Sequence, residues 1–264
     1  MRFVDTHTHP YDEAFDQDRK EALQRAVDQG VTKWIFPAID ISSYKAQSCL
    51  AKEYPSNAFM TMGLHPTSVG ANWKEELDFA EGKLLQWAEN KENADENYVA
   101  VGEIGLDGYW SKEFMKEQIE VFSAQIDWAL KYNLPVIIHE RSAQPEVFDL
   151  LESKPHTIKG VFHAFSGSYE TYTRIKKYGD FKIGIGGVVT FKNAGVAKTV
   201  EQIPLQDIVL ETDSPWLTPA PFRGKRNESS YIPLIARKIA EIKGEEIERI
   251  AQETTKNAEA LFGI

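Results

Sequence analysis

The sequence is short of the residues and patterns that several classes of protein need. Cys49 is the single cysteine among 264 residues, so the chain cannot form an internal disulfide or a site of several cysteine ligands. The longest apolar runs, such as residues 135–138, are a few residues long, whereas a membrane-spanning helix needs about 20. We therefore expect no membrane contact and, without an apolar signal segment at the N-terminus, a cytoplasmic location.

Basic side chains are outnumbered by acidic ones. The chain has 30 Lys and Arg against 40 Asp and Glu, a formal net charge of −10 at pH 7. Broad grooves for duplex nucleic acid need clustered Lys and Arg, which this composition argues against. Any anionic substrate must therefore be neutralised locally.

Short apolar, β-branched segments alternate with longer amphipathic segments along the whole chain. This alternation predicts repeated βαβ units and a parallel sheet. The predicted strands are residues 3–4, 33–38, 58–62, 98–101, 135–138, 160–162, 181–185 and 207–210. The predicted helices are residues 16–29, 42–54, 75–90, 112–132, 145–152, 169–178, 196–202, 231–243 and 245–262. Eight strands with interleaved helices predict an α/β fold, a (β/α)8 TIM barrel forming a single domain over residues 1–264.

Histidines and acids follow the predicted strands at their carboxyl ends. His7 and His9 follow the first strand, and because residues two apart in an extended chain project to the same side, their imidazoles face one point. Later strands lead into His65, Glu103, His139, His163, Glu211 and Asp213. Two neighbouring histidines taken alone are equally consistent with hydrogen-bonded core residues. However, these histidines and acids all lie at the carboxyl ends of the strands, the mouth of the barrel, where barrel enzymes have their active sites. This common location favours a metal centre.

The candidate ligands are more numerous than one ion requires. Zinc sites take about four ligands, and catalytic ones leave a position for water. We therefore expect two divalent ions, with Glu103, on a central strand, bridging them. Two ions ~3.5–4 Å apart can hold a bridging hydroxide and stabilise the attacking and leaving oxygens of a phosphoryl displacement. The pattern indicates metal-assisted hydrolysis with Mg, Mn, Zn or Ni.

Seven short motifs occur in order along the chain. They are DTHTH at 5–9, GLHP at 63–66, GEIGLD at 102–107, IHER at 138–141, FHAFSG at 162–167, LETDSP at 210–215 and RGKRNE at 223–228. Together they resemble the TatD family of metal-dependent deoxyribonucleases, within the amidohydrolase-like barrels, over nearly the whole chain. Two positions depart from the family pattern: Ser229 stands where proline is usual, and Gly108 where an aromatic residue is expected.

The resemblance implies a 3′–5′ exonuclease on DNA with single-stranded or frayed ends. The implied ligands are His7, His9, Glu103 and Asp213 for one ion, and Glu103, His139 and His163 for the other. His65 matches a position near the substrate and is not expected to be a ligand. Asp213 is expected to take or relay the proton of the attacking water, which makes Asp213 and Glu103 the implied catalytic residues.

Basic and aromatic residues near the same mouth are candidates for substrate contact. Arg223 and Arg226 lie in a loop after the last strand, and Arg141 directly follows the fifth. Loops at this face commonly bind phosphate, so these three arginines are expected to contact DNA, with a solvated basic turn as the alternative. Trp110, after the fourth strand, could stack on a base or simply pack.

Two alternatives stay open beside the nuclease. A small-molecule amidohydrolase or lactonase would use a similar barrel and metal centre. Several such relatives carry a carboxylated lysine at the end of the fourth strand, where this chain has Glu103, and this difference favours phosphodiesters. A catalytically silent barrel is disfavoured because every predicted ligand is present. We expect a monomer.

Overall fold

Eight parallel strands pair in sequence order in the computed structural model, which describes residues 1–91 and 96–264. The strands are Phe3–Asp5 (β1), Val31–Phe36 (β2), Ala58–Met62 (β3), Tyr98–Asp107 (β4), Val136–Arg141 (β5), Ile158–Phe162 (β6), Gly179–Ile185 (β7) and Ile208–Leu210 (β8). The amide of Thr6 donates to the carbonyl of Leu210 at 3.0 Å, which brings the first and last strands together. The predicted (β/α)8 barrel is confirmed.

Helices connect successive strands and cover the outside of the sheet. They are Arg19–Asp28 (α1), Ile41–Glu53 (α2), Trp73–Glu89 (α3), Met115–Tyr132 (α4), Gln144–Glu152 (α5), Tyr169–Ile175 (α6), Val196–Gln202 (α7), Ile232–Lys243 (α8) and Ile247–Phe262 (α9). Local chemistry explains their ends: Asp40 caps α2 by accepting from the amide of Ser43 at 2.9 Å, and α8 stops at Gly244, whose φ is 63°. In the described part of the chain, no helix has both the length and the apolar character of a membrane span.

At their carboxyl ends, β4 and β5 run at least three residues beyond the ranges that the sequence pattern predicts. β4 continues to Asp107 and β5 to Arg141, where the pattern ends them at residues 101 and 138. The added residues pair with each other, as Gly105 with His139 and Asp107 with Arg141. Polar side chains break the apolar pattern there, but the backbone ladder continues because pairing depends on the neighbouring strand and not on the side chain.

The C-terminal helix closes one end of the barrel. Ala258, Leu261 and Phe262 of α9 pack in one buried cluster with strand residues that include Val4 and Val99, each the second residue of its strand. The starting ends of the strands are therefore filled by apolar packing. The polar side chains collect at the opposite end.

A half-buried cluster of hydroxyl groups around Glu96 joins α2 to β4. The carboxylate of Glu96 accepts hydrogen bonds from Tyr44 and Ser48 of α2 at 2.6 Å and from Tyr98 of β4 at 2.7 Å. Burial raises the pKa of Glu96, but these hydroxyl donors outweigh it and lower the pKa to about 2. The ionised form is therefore the one that the folded protein stabilises.

We predict that Glu96→Gln lowers the free energy of unfolding at pH 7 by about 1 kcal/mol, because it weakens hydrogen bonds to a charged acceptor. The folded pKa lies below the ordinary 4.5, so this stabilisation is present above pH 4.5 and is lost as the pH falls toward 2. Urea unfolding of both proteins across this range measures the difference. Glu89→Gln, on the exposed end of α3, is the matched control and should stay within about 0.5 kcal/mol at every pH. A difference between Glu96→Gln and the native protein that does not shrink with acid would contradict the assignment.

Candidate metal centre

All six predicted ligands, with His65, lie at the carboxyl end of the barrel. His7 and His9 follow β1, His65 follows β3, Glu103 lies in β4, His139 lies in β5, His163 follows β6 and Asp213 follows β8. His7, His9, Glu103 and His163 are buried, and the side chains of Asp213 and His139 are 15% and 17% exposed. The mouth therefore concentrates ionisable groups that are almost shielded from water.

Local backbone features aim several of these side chains. The ladder between β4 and β5 shifts register between Val101 and Ile104, and the amide of Glu103 instead donates to the carbonyl of Ala38 at 3.0 Å. Such irregularities redirect a side chain beside a site. Asp213 has a left-handed backbone, with φ at 56°, and its amide donates to the carbonyl of His7 at 2.9 Å. This strained conformation brings its carboxylate over the histidines.

His7, His9 and Asp213 form one group of donor atoms. The Nε2 atoms of His7 and His9 are 3.1 Å apart, and Asp213 Oδ1 lies 3.6 Å from each. Donor atoms around a tetrahedral ion at 2.0–2.1 Å are separated by about 3.3 Å. Two imidazole lone pairs facing each other repel unless a proton or cation lies between them. The residues present therefore fit a divalent ion.

Glu103 lies between this group and a second one. Its Oε2 is 3.1 Å from His7 Nε2, while its Oε1 is 3.2 Å from His65 Nε2 and 2.9 Å from His163 Nε2. His139 Nδ1 is 3.0 Å from the same Oε1. The two oxygens of one carboxylate thus face different sets of histidines, which is the arrangement that a bridging ligand requires.

The charges of this cluster are strongly coupled. Burial raises the pKa of Glu103, but the imidazoles around it, with His163 and His65 foremost, hold the pKa well below its ordinary value. Burial lowers the pKa of His163, but the charge of Glu103 outweighs it and raises the pKa well above its usual range. The carboxylate therefore attracts positive charge, as protons on histidine or as a cation. An ion must displace those protons, so its affinity should rise with pH.

Tyr11 fixes the tautomer of His9, a role that the sequence did not reveal. Its hydroxyl donates its one proton to the carbonyl of Pro37 and lies 2.7 Å from His9 Nδ1. The Tyr11 oxygen must then accept from Nδ1, which leaves the His9 Nε2 lone pair free for an ion.

Asp107 and Asp5 support the site from further out. Asp107 Oδ2 lies 2.9 Å from His139 Nε2, which leaves Nδ1 of that ring facing Glu103. Asp5 is fully buried and accepts from the amide and hydroxyl of Thr212 at 2.9 and 2.6 Å, joining β1 to β8. Burial raises the pKa of Asp5 to about 7. Both acids lie inside the quoted motifs, but no spacing rule gave them a role.

Glu211 also contacts the site from behind. Its Oε1 accepts from the amide of Ala164 and lies 3.5 Å from His163 Nδ1. A Cβ on Gly184 would come within 2.1 Å of the Glu211 carboxylate, so glycine is required there. Glu211 therefore lies behind a candidate ligand, on the side of its ring away from Glu103.

The predicted substrate residues have different surroundings. His65 lies as close to Glu103 as the histidines predicted to bind metal, so the structure makes it a further candidate ligand. Arg223 is exposed, with its guanidinium carbon 4.2 Å from the ring centre of Phe191. Arg226 donates to both carboxylate oxygens of Asp18, at 2.6 and 2.9 Å. A phosphate contact by Arg226 would have to break this pair, whereas Arg223 and the exposed Arg141 need no such exchange.

Comparisons with known proteins find similar proteins over nearly the whole length of the chain. Residues 4–263 match the family described as TatD related DNase. A Bacillus subtilis protein, YabD, described as an uncharacterized metal-dependent hydrolase, is 39% identical over 262 residues and covers 98% of each chain. The crystal structure of YjjV, a TatD homologue from Escherichia coli, superimposes with a TM-score of 0.88 at 31% identity and covers 100% of this chain and 98% of that one. A TatD-family hydrolase from Entamoeba histolytica shares the fold, with a TM-score of 0.84 at 23% identity over 99% of this chain and 98% of that one.

We predict that Mn or Zn raises the melting temperature of metal-stripped protein by about 5–10 °C at saturating concentration, because ions that bind only the folded state stabilise it. The shift should grow from pH 6 to pH 8, as the histidines lose their protons. Glu103→Gln should abolish most of it, since the amide cannot bridge two ions. Glu113→Gln, an exposed residue before α4, is the control and should respond like the native protein. A full shift in Glu103→Gln would show that the ions bind elsewhere.

Proposed function

Because the chain belongs to the TatD-related DNases, a family of metal-dependent hydrolases, we propose that it removes nucleotides from the 3′ end of single-stranded DNA with two divalent ions. The observation that carries this proposal is the position of Glu103, whose two carboxylate oxygens face separate groups of histidines. One carboxylate shared by two groups of ligands is typical of centres that hydrolyse phosphate esters.

The side chains divide the chemistry among them. When bound, divalent ions would lower the pKa of a water molecule and neutralise the phosphate. His7, His9 and Asp213 would hold one ion, and Glu103 would contact both ions. His163, together with His139 or His65, would hold the other ion.

Asp213 is the residue that accepts the proton of the attacking water. Burial raises the pKa of Asp213, but the hydrogen bond with His9 and the charge of His163 outweigh it and lower the pKa. Asp213 is therefore ionised at neutral pH and able to accept a proton. The low pKa also means that it gives the proton up readily to solvent, which suits a relay.

An acidic protein needs local positive charge to hold DNA. Arg141, the last residue of β5, and Arg223, in the loop after β8, are both exposed at the carboxyl end of the barrel. Together with two divalent ions they supply the positive charge that the net charge of −10 lacks. These few contacts suit the end of a single strand better than a long duplex.

We predict that metal-stripped protein supplied with Mg or Mn shortens a 5′-labelled single-stranded oligonucleotide stepwise from its 3′ end. Asp213→Asn should lower kcat by at least about 100-fold, because the amide cannot take the proton, while oligonucleotide affinity changes less than about threefold. Asp180→Asn, at the exposed start of β7 at the far end of the barrel, is the control and should retain full activity.

Three results would contradict separate parts of this proposal: the role of Asp213, the polarity of cleavage and the nuclease activity itself. Equal losses of kcat and of oligonucleotide affinity in Asp213→Asn would show that Asp213 has no specific role in proton transfer. Shortening from the 5′ end would reverse the polarity. No cleavage with either metal, together with metal-dependent hydrolysis of lactones or amides, would replace the nuclease by a small-molecule hydrolase.

Affinity for a single-stranded oligonucleotide falls as the salt concentration rises. We predict that Arg223→Ala makes the slope of log affinity against log salt concentration less negative by about 0.7, the value for one lost phosphate contact. Fluorescence anisotropy at four salt concentrations measures it. Lys131→Ala, which removes an exposed positive charge at the end of α4 remote from the mouth, should leave the slope unchanged. Identical slopes for Arg223→Ala and Lys131→Ala would exclude a phosphate contact at Arg223.

A further inference from the structure

Exposed apolar side chains concentrate around the metal centre. Among the described residues the large exposed ones are Met1, Val27, Leu85, Tyr109, Trp110, Trp216 and Leu217. The last four follow β4 and β8, on opposite sides of the mouth, and Trp110 is the most exposed of all at 70%. Exposed apolar patches at a polar mouth indicate a binding surface.

Tyr109, Trp110 and Arg141 pack against one another, and we call these three residues the aromatic platform. The rings of Tyr109 and Trp110 meet edge to face, with centres 5.0 Å apart. The guanidinium carbon of Arg141 lies 3.7 Å from the centre of the tyrosine ring and 5.3 Å from that of the tryptophan. Aromatic rings and guanidinium planes are the surfaces on which proteins stack unpaired bases.

Asp107 ties the aromatic platform to the metal centre. Its Oδ1 accepts from the amides of Tyr109 and Trp110 at 2.9 and 3.1 Å, and its Oδ2 lies 2.9 Å from His139 Nε2. One carboxylate therefore positions both the loop that carries the rings and a candidate ligand. A group held on the rings would have a fixed position relative to the ions.

Position 108, directly before the two rings, has no room for a side chain. A Cβ at residue 108 would lie 2.6 Å from the carbonyl oxygen of Ser142, so an aromatic side chain cannot occupy that position without moving the backbone. The glycine directly after Asp107 is followed by two exposed aromatic residues, Tyr109 and Trp110. The loop lies flat against the end of β5 and presents its rings outward.

We propose that the aromatic platform stacks a nucleobase of the DNA strand close to the scissile phosphate, an inference that rests on the proposed nuclease function. Stacking does not depend on charge, so it supplies affinity that the phosphates of DNA cannot obtain from an acidic protein. Every base has a flat face, so the contact tolerates any sequence. Bases within a duplex are not accessible to such a surface, which makes the platform selective for unpaired ends.

The test compares two single-stranded oligonucleotides that share the same phosphates, one with natural 3′-terminal nucleotides and one with abasic residues at the last three positions. The native protein should cleave the abasic strand with a KM about tenfold higher. Trp110→Ala should raise KM for the natural strand about tenfold, leave KM for the abasic strand unchanged and change kcat less than twofold. Trp110→Phe should restore most of the difference. Leu85→Ala, an exposed apolar residue on α3, is the matched control and should behave like the native protein.

The outcomes separate the two proposals. Equal KM values of the native protein for both strands, or an equal rise for both in Trp110→Ala, overturn the aromatic platform and leave the nuclease intact. A loss of kcat without a change in KM gives Trp110 a role in aligning the ions and also overturns it. No cleavage of either strand overturns the nuclease and the platform with it.

Discussion

The contact of Glu103 with histidines on both sides is the interaction on which the rest of the site depends. A carboxylate that is 3% exposed is expensive to bury unless opposite charges surround it. Here the charges come from strands that are distant along the chain, with His7 after β1 and His163 after β6. Only a closed barrel brings the ring nitrogens of both residues within 3.1 Å of one carboxylate. Closure of the fold and assembly of the site are therefore the same event.

The barrel separates stability from chemistry by its two ends. The end filled by α9 is packed with apolar side chains, including Leu261 and Phe262, and gains its stability from burial. The opposite end buries ionisable groups, and the cost of removing these groups from water opposes folding unless protons or metal ions compensate their charges. Contacts such as Asp5 with Thr212, which join the first strand to the last, hold the polar end in place. Apolar burial at one end of the barrel therefore offsets the free-energy cost of burying ionisable groups at the other.

The surroundings of the candidate metal centre carry the charged and aromatic side chains that the proposed function needs for contact with a substrate. Of the arginines expected there, Arg226 fastens the loop after β8 to Asp18, while Arg223 and Arg141 remain exposed. Arg141 also lies against the ring of Tyr109, so charge and aromatic surface are combined in one place. Under the proposed function, an acidic chain would bind an anionic polymer through these few contacts.

The sequence by itself determined the barrel and the side chains gathered at its mouth, because both follow from patterns that are local in the chain: alternating periodicities, and polar residues where strands end. It did not show that β4 reaches Asp107, since polar residues hid the continuing ladder. Only the tertiary structure decided that His65 joins the cluster, that Tyr11 sets the tautomer of His9, and that Arg226 is paired. The reason is physical. Each of these depends on distances between segments that the closing barrel brings together, and such distances leave no periodic mark in the sequence.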